Sequence, residues 1–314
     1  MKNIKVFCPG SVANISCGFD ILGLCLDNIG DEIIVTEKKE PGIELELTGN
    51  YKTPNDINKN AASVSAIALL NSYKPLNYGL KISIEKKIKP GSGIGSSAAS
   101  SAGSVYAINE LLNRPFSKKE LINFALEGEF ACTKSYHADN IAAVLLGGIT
   151  LVRSNKELDI IKLNTPLELF VTIVHPQIEI KTSDSRSIVN RKFEISKVIE
   201  QSSNLGAFVS ALYNEDYDLI SRCISDIIAE PHRSELIPEF KNLKKIAINS
   251  GSIGFGISGS GPSMFSLAKG PEKAYYIKNE LEKHLQIKKI NFKSYVSSVN
   301  DEGCLLYTSP SPRD

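Results

Sequence analysis

Pro90-Gly91-Ser92-Gly93-Ile94-Gly95-Ser96-Ser97-Ala98-Ala99-Ser100-Ser101-Ala102-Gly103-Ser104 is the stretch of this 314-residue chain most biased toward small residues. Before it, Leu80, Ile82 and Ile84 alternate with Lys81, Ser83 and Glu85, a strand pattern. After it, Val105, Ile108, Leu111 and Leu112 recur at helical spacing until Pro115. The stretch thus reads as a glycine-rich turn from a strand into a helix, with Ser96 or Ser97 in the first helical turn. Glycines let the backbone approach a ligand closely, and the free N–H groups of the helix start then face it. A tight loop that merely permits close helix packing is the competing reading. The length of the run and its place before a helix favour an anion, and phosphate is the usual occupant.

The loop is none of the commoner phosphate cradles. A Walker A loop needs a Lys where Ser96 stands, and the dinucleotide fingerprint needs G-x-G-x-x-G rather than G-x-G-x-G. A protein-kinase loop lies between strands. No G-x-S-x-G elbow or H-E-x-x-H helix motif occurs either, so hydrolase and zinc-enzyme readings lack support.

Outward from the loop, the composition is that of a globular protein, with 42% hydrophobic and 23% charged residues. A net charge of +1 gives no reason to expect nucleic-acid or membrane binding. Lys86-Lys87 reads as solvated face. The six cysteines lack C-x-x-C spacing and read as reduced, largely buried thiols of a cytoplasmic protein. Met1 leads directly into a strand-like run with no signal or transit peptide, and no apolar stretch has transmembrane length.

Strands are expected at 4–8, 31–37, 43–48, 149–153, 158–162, 169–175, 264–268 and 291–298. Residues 9–20 are expected as a polar loop. Helices are expected at 60–72, capped by Asn58 or Asn60, and from Ser117, with Glu120 at the capping-box position. Further helices are expected at 203–213, 216–229, 238–249 and 271–285, with Pro231-His232-Arg233 breaking the second of these. Residues 179–190 read as loop. The mixing of strands and helices in two blocks argues for an α+β fold with a boundary near 155–168. From Gly303 the chain resembles neither strand nor helix.

Phosphoryl transfer needs a metal ion on the phosphate oxygens, charge compensation and an acceptor held in line. Mg²⁺ usually takes one or two hard protein ligands. Ser97 is the hydroxyl candidate, and Glu127 or Glu129 the carboxylate. His137-Ala138-Asp139-Asn140 groups polar side chains before an apolar segment, though Asp and Asn there could merely cap a helix. Arg186 and Arg233 lie in polar breaks, and each could be no more than a surface ion pair.

Three stretches in order resemble the GHMP kinase superfamily of small-molecule kinases: Pro9-Gly10-Ser11-Val12-Ala13-Asn14-Ile15 through Gly18-Phe19-Asp20, then Pro90–Ser100, then Ser258-Gly259-Ser260-Gly261-Pro262-Ser263. The resemblance spans about residues 3 to 300. The Glu129…His137-Ala138-Asp139-Asn140 run, Arg186 after Lys181-Thr182, and Glu230-Pro231-His232-Arg233 resemble the branch whose acceptor is homoserine.

The resemblance implies a two-domain GHMP kinase fold. A ribosomal protein S5 domain 2-like N-terminal half (1–160) binds ATP, a ferredoxin-like C-terminal half spans 161–302, and 303–314 is an atypical tail. It implies ATP and Mg²⁺, a homodimer, and phosphorylation of the L-homoserine hydroxyl to O-phospho-L-homoserine in threonine biosynthesis. Pro90, Gly91, Ser92, Gly93, Ile94, Gly95, Ser96 and Ser97 would hold the ATP phosphates, with Asn60 toward the adenine. Ser97 and Glu129 would hold the metal ion. Arg186 and Arg233 would grip the acceptor carboxylate and Asp20 its ammonium group. Asn14, His137 and Asp139 would line the pocket, and Gly259 would close it. Asn140 would lie near the reacting hydroxyl and, with the two arginines, make up the catalytic set. Some superfamily members pair an Asp base with a Lys; no such pair is identifiable here, so positioning and charge compensation are expected to carry catalysis. The alternatives are a GHMP kinase for a mevalonate- or sugar-type alcohol, and a non-catalytic nucleotide-binding protein on the same fold.

Overall fold

The structure is a computed structural model and describes residues 2–178, 180, 185, 188–189 and 192–307. The first sheet runs β11-β1-β2-β4-β3, with β5 beside β2 and β6 beside β5. Its strands are β1 (Asn3–Ala13), β2 (Leu22–Lys38), β3 (Ile43–Gly49), β4 (Gly79–Lys86), β5 (Ile149–Ser154), β6 (Asp159–Leu163) and β11 (Leu305–Leu306). Four helices pack together against it: α1 (Ala61–Asn71), α2 (Ser96–Leu111), α3 (Lys118–Thr133) and α4 (Asp139–Leu146). The alternation of β4 decides which face they cover, because Leu80, Ile82 and Ile84 all point into the core. Small residues let α2 sit deep between sheet and helices: Ala98, Ala99, Ala102 and Gly103 are all buried. Asn60 caps α1 through Ala62 N, and Ser117 and Glu120 form a capping box on α3.

The second sheet runs β10 (Phe292–Ser298), β7 (Leu169–Pro176), β9 (Met264–Lys269), β8 (Gly254–Ile257), all antiparallel. Helices α5 (Ile195–Asn214), α6 (Tyr217–Cys223), α7 (Glu230–Arg233) and α8 (Phe240–Asn249) follow β7, and α9 (Pro271–Ile287) follows β9. The βαββαβ order with the last strand beside the first is the ferredoxin-like arrangement. Strand β7 serves two cores. Val171 and Ile173 join the cluster shared with the first sheet and with Phe208 and Leu212 of α5. Val174 joins a second cluster with Phe240, Phe255, Met264 and Leu281.

Several elements differ from the sequence expectation. Residues 9–13 are strand rather than loop, because a bulge between Pro9 and Ser11 absorbs the proline and lets β1 continue. Strand β2 is continuous across the exposed Asp27-Asn28, where Ser297 Oγ accepts from Asp27 N and the Asn28 amide donates to Val296 O. Helix α5 begins eight residues early, at Ile195 rather than 203. The 216–229 helix stops at Cys223, because the Asp226 carboxylate accepts the N–H groups of Ile228, Ala229 and Glu230 and starts a new helix. Pro231 begins that helix rather than breaking one, since its missing N–H has no partner to lose in a first turn. Residues 304–307 are built into the fold although they carry no strand or helix pattern. Leu305–Leu306 pair with β1, Cys304 is buried, and Cys304 N donates to Val144 O (2.8 Å). The loop read over 179–190 falls largely outside the described residues, as does everything after Tyr307.

His175 on β7 is buried and neutral. Burial, with Lys89 and Lys293 nearby, pushes its ring down to about 4. Gln177 donates to Nδ1 (2.9 Å), a contact that a doubly protonated ring cannot accept. An unfolded histidine gains its proton near pH 6.5 and this one only near pH 4, so stability is lost as pH falls through that window. We expect about 3 kcal/mol of loss between those limits. Urea unfolding across the window should show it, and His175→Asn should flatten the slope.

Candidate active site

Helix α2 starts at Ser96 on a left-handed Gly95, with no side-chain cap on its first turn. Its leading N–H groups thus face the cleft that the glycine loop rims. The loop is held from the other half of the molecule. Ser258 Oγ donates to Gly93 O (2.6 Å) and Ser263 N to Ser92 O (3.1 Å). A Cβ on Gly93 would lie 2.6 Å from Ser258 O, so only glycine fits under this clamp. Ser92 and Ile94 are buried and do not line the cleft; Ser92 N donates to Lys89 O (3.2 Å), and Ile94 O accepts from Ser11 N (3.2 Å).

The structure gives different surroundings to Ser96 and Ser97, and to the two carboxylate candidates Glu127 and Glu129. Ser96 and Ser97 both border the cleft, but the Ser96 hydroxyl donates to Ile88 O (3.1 Å) while the Ser97 hydroxyl meets Glu129. Glu127 is exposed and meets Tyr136, whereas Glu129 lines the cleft and accepts a hydrogen bond from Ser97. Burial pushes the Glu129 carboxyl up, while Ser97 and the Lys86 charge pull it back toward ionisation. Its Oε2 is buried with no hydrogen-bond partner among the described residues. An orphaned carboxylate oxygen beside a hydroxyl at a helix start is a donor set that fits a hard divalent cation.

Lys86 is a cleft-lining residue that its sequence context misplaces. It is 2% exposed, not solvated face, and lines the floor of the cleft. Its Nζ is bonded to Asp31 Oδ2 and donates to Ser96 O (2.7 Å) and Ser100 Oγ (2.9 Å), tying β4 to the first turn of α2. Asp31 is fully buried and also accepts from Lys87 N and Ile88 N. A signal existed, since Lys86 stays in phase with Leu80, Ile82 and Ile84 on the inward face. With Asp31 wholly enclosed and its oxygens taken, this pair is a structural tie and not a base beside the acceptor.

The acceptor end is built on a strained loop. Asn14, Ile15, Ser16 and Asp20 all have positive φ, and Asn14 Oδ1 accepts from Asp20 N (3.0 Å) to close the turn. Asp20 Oδ2 lies 3.7 Å from His137 Nδ1. Helix α4 opens with Asp139, whose Oδ1 accepts from Asn140 N (2.8 Å). Arg233 is not on the surface. It ends α7, is 4% exposed, and stacks over Phe19 at 4.9 Å. Its Nε donates to Ser185 O (3.0 Å) and its Nη1 to Gly259 O (2.8 Å), the same carbonyl that accepts from Asn14 Nδ2 (3.0 Å).

These parts share one cleft of about 300 Å³, lined by Asn14, Asp20, His137, Asp139, Asn140, Arg233 and Gly259 at one end. Pro90, Gly91, Gly93, Gly95, Ser96, Ser97 and Glu129 line the other. Asn60 reaches the wall, but its amide is engaged with Ala62 N, Thr53 Oγ1 and Pro54 O, so it shapes the cleft beside Lys52-Thr53-Pro54. That segment and Cys132 line the cleft with no motif to announce them. Arg186 lies outside the described residues.

A glycine-loop phosphate site on this pair of domains defines a small-molecule kinase class, and the comparisons agree. The model described as "GHMP kinases N terminal domain" matches residues 59–148, and "GHMP kinases C terminal" matches 208–287. The chain belongs to the GHMP kinase family. It is 40% identical over 286 residues to a homoserine kinase of Chlorobium phaeobacteroides, covering 87% of this chain and 89% of that protein. It is similar to the crystal structure of homoserine kinase from Cytophaga hutchinsonii, with a TM-score of 0.94, 41% identity and 98% of both chains covered. L. major mevalonate kinase, in complex with R-mevalonate, shares the fold at a TM-score of 0.73 and 16% identity, with 95% of this chain and 96% of that one covered.

Proposed function

We propose that the chain transfers the γ-phosphoryl group of ATP to the side-chain hydroxyl of L-homoserine, giving O-phospho-L-homoserine for threonine biosynthesis. One observation carries the reading: the phosphate loop shares its cleft with Asp20 and Arg233, charges of opposite sign suited to a zwitterionic amino acid. Near-full-length relatives named homoserine kinase support the same acceptor.

In this reading the loop N–H groups and the α2 start bind the phosphates, Arg233 and Arg186 grip the carboxylate, and Asp20 holds the ammonium group. His137, Asp139 and Asn14 shape the pocket, and Asn140 lies beside the reacting hydroxyl. Ser97 and Glu129 would hold Mg²⁺. When bound, that ion supplies positive charge against the phosphate oxygens. This reading assigns no base among the described cleft residues, so the hydroxyl proton passes to a phosphate oxygen or to solvent, and rate comes from positioning and charge compensation. Asp139→Asn is accordingly expected to keep kcat within about tenfold. A loss of several orders of magnitude, with homoserine affinity and folding intact, would make Asp139 the base. We further propose a cytoplasmic homodimer, measurable by light scattering.

The direct test supplies Mg-ATP with homoserine, mevalonate or galactose separately and measures ADP release. Homoserine-dependent ADP is expected. ADP with mevalonate or galactose alone would move the chain to another acceptor class, and none despite tight ATP binding would make it a nucleotide-binding protein.

A further inference from the structure

Three chain segments meet at one point between the two ends of the cleft. Strand β1 contributes Ser11, which is fully buried and whose N donates to Ile94 O (3.2 Å). The phosphate loop contributes Gly95, and α4 contributes Asn140 in its first turn. Ser11 Oγ donates to Asn140 Oδ1 at 2.8 Å. A Cβ on Gly95 would lie 2.1 Å from Ser11 Oγ and 3.3 Å from Asn140 Oδ1, so the junction closes only around a glycine.

A carboxamide is nearly symmetric in shape but not in chemistry: one side accepts and the other donates. A hydroxyl can donate or accept, and here Ser11 donates to the oxygen side of Asn140 while Asp139 Oδ1 faces the NH₂ side, so the two contacts together select one orientation. We infer that Ser11 is a positioning residue that fixes the Asn140 amide with its oxygen toward β1 and its NH₂ toward the reacting groups. Asn140 Nδ2 also lies 3.4 Å from Asp139 Oδ1, consistent with the same orientation. Without the Ser11 hydroxyl the two amide orientations become closer in energy, and the flipped one turns an acceptor where a donor is needed. This rests on the reading that Asn140 lies beside the reacting hydroxyl. Ser11 itself does not line the cleft and touches no substrate.

The test is a kinetic cycle on the full chain with S11A, N140A and S11A/N140A, plus N140D, which keeps an oxygen for Ser11 but loses the NH₂. Asn140→Ala is expected to lower kcat on the order of 10²-fold. S11A should lower kcat on the order of tenfold, with KM for ATP and for homoserine within about twofold of wild type. The double variant should match N140A within about twofold, because Ser11 has nothing left to orient. N140D should be no more active than N140A. S11C, with a weak S–H donor of similar size, replaces S11A in the cycle should the alanine variant lose thermal stability. A wild-type kcat in S11A alongside an impaired N140A would overturn the inference. So would S11A and N140A losses that multiply, since Ser11 would then act through the fold. A wild-type kcat in N140A would instead sink the placement of Asn140 itself.

Discussion

Glu129→Gln is expected to lower kcat on the order of 10³-fold while leaving the protein folded. The substitution is nearly isosteric, so its effect isolates charge. The Glu129 carboxylate sits in a buried position whose desolvation already opposes its ionisation, and its Oε2 has no hydrogen-bond partner among the described residues. A fold does not keep such a group for stability, since burying an amide costs less than burying a carboxylate. The thermal midpoint of Glu129→Gln should therefore equal or exceed that of the wild type. Calorimetric titration should show the second signature: Mg²⁺ tightens nucleotide binding to the wild type and does so far less for the variant. Ser97→Ala should share the direction with a smaller loss, because a hydroxyl is the weaker ligand. Activity of Glu129→Gln within tenfold of wild type would overturn the proposal that Glu129 holds a metal ion.

Arg233→Met is expected to raise KM for homoserine by about 10²- to 10³-fold, the size of losing one desolvated charge partner. The methylene stem and the packing over Phe19 are largely kept, while the charged fork is lost. Arg233→Lys should recover little, because its ammonium cannot reproduce both the Ser185 and Gly259 contacts in one plane. Substrate variation sharpens the test. The wild type should strongly prefer homoserine to 3-aminopropan-1-ol, which lacks only the carboxylate, and in Arg233→Met that preference should collapse. If the preference persisted with a raised KM, Arg233 would be shaping the turn at Gly259 rather than reading the carboxylate.

Much of the site was legible because its motifs are local. The loop from Pro90 to Ser97 announces itself by composition, and the capping signals at Asn60 and Ser117 are where their side chains place them. What failed was mostly a judgement of burial. Lys86 beside Lys87 looks like a charged surface pair, yet Asp31, distant in sequence but adjacent through the β2–β4 ladder, gives it a buried partner. Arg233 after Pro231 looks like a surface break, yet Asp226 starts a helix that carries it inward. Leu305–Leu306 lack a strand signature because two residues cannot display a period; the open edge of β1 makes them a strand.

The sequence by itself pointed to the class of chemistry, since a glycine turn before a helix suits an anion and three short motifs in order resemble the GHMP kinases, each legible within its own segment. It also determined the two-block α+β order, because periodicity is a local property. The tertiary structure alone showed which neighbours these side chains meet: Ile88 O for Ser96, Glu129 for Ser97 and Tyr136 for Glu127. One or two residues along a helix turn a side chain from solvent or core to ligand, and only packing says which face looks into the cleft. It alone brought Ser258 onto Gly93 and Ser11 onto Asn140, contacts spanning 165 and 129 residues of chain. The first pairing is made when the two halves of the molecule close on each other and the second when α4 packs against β1, and no single stretch of sequence contains either.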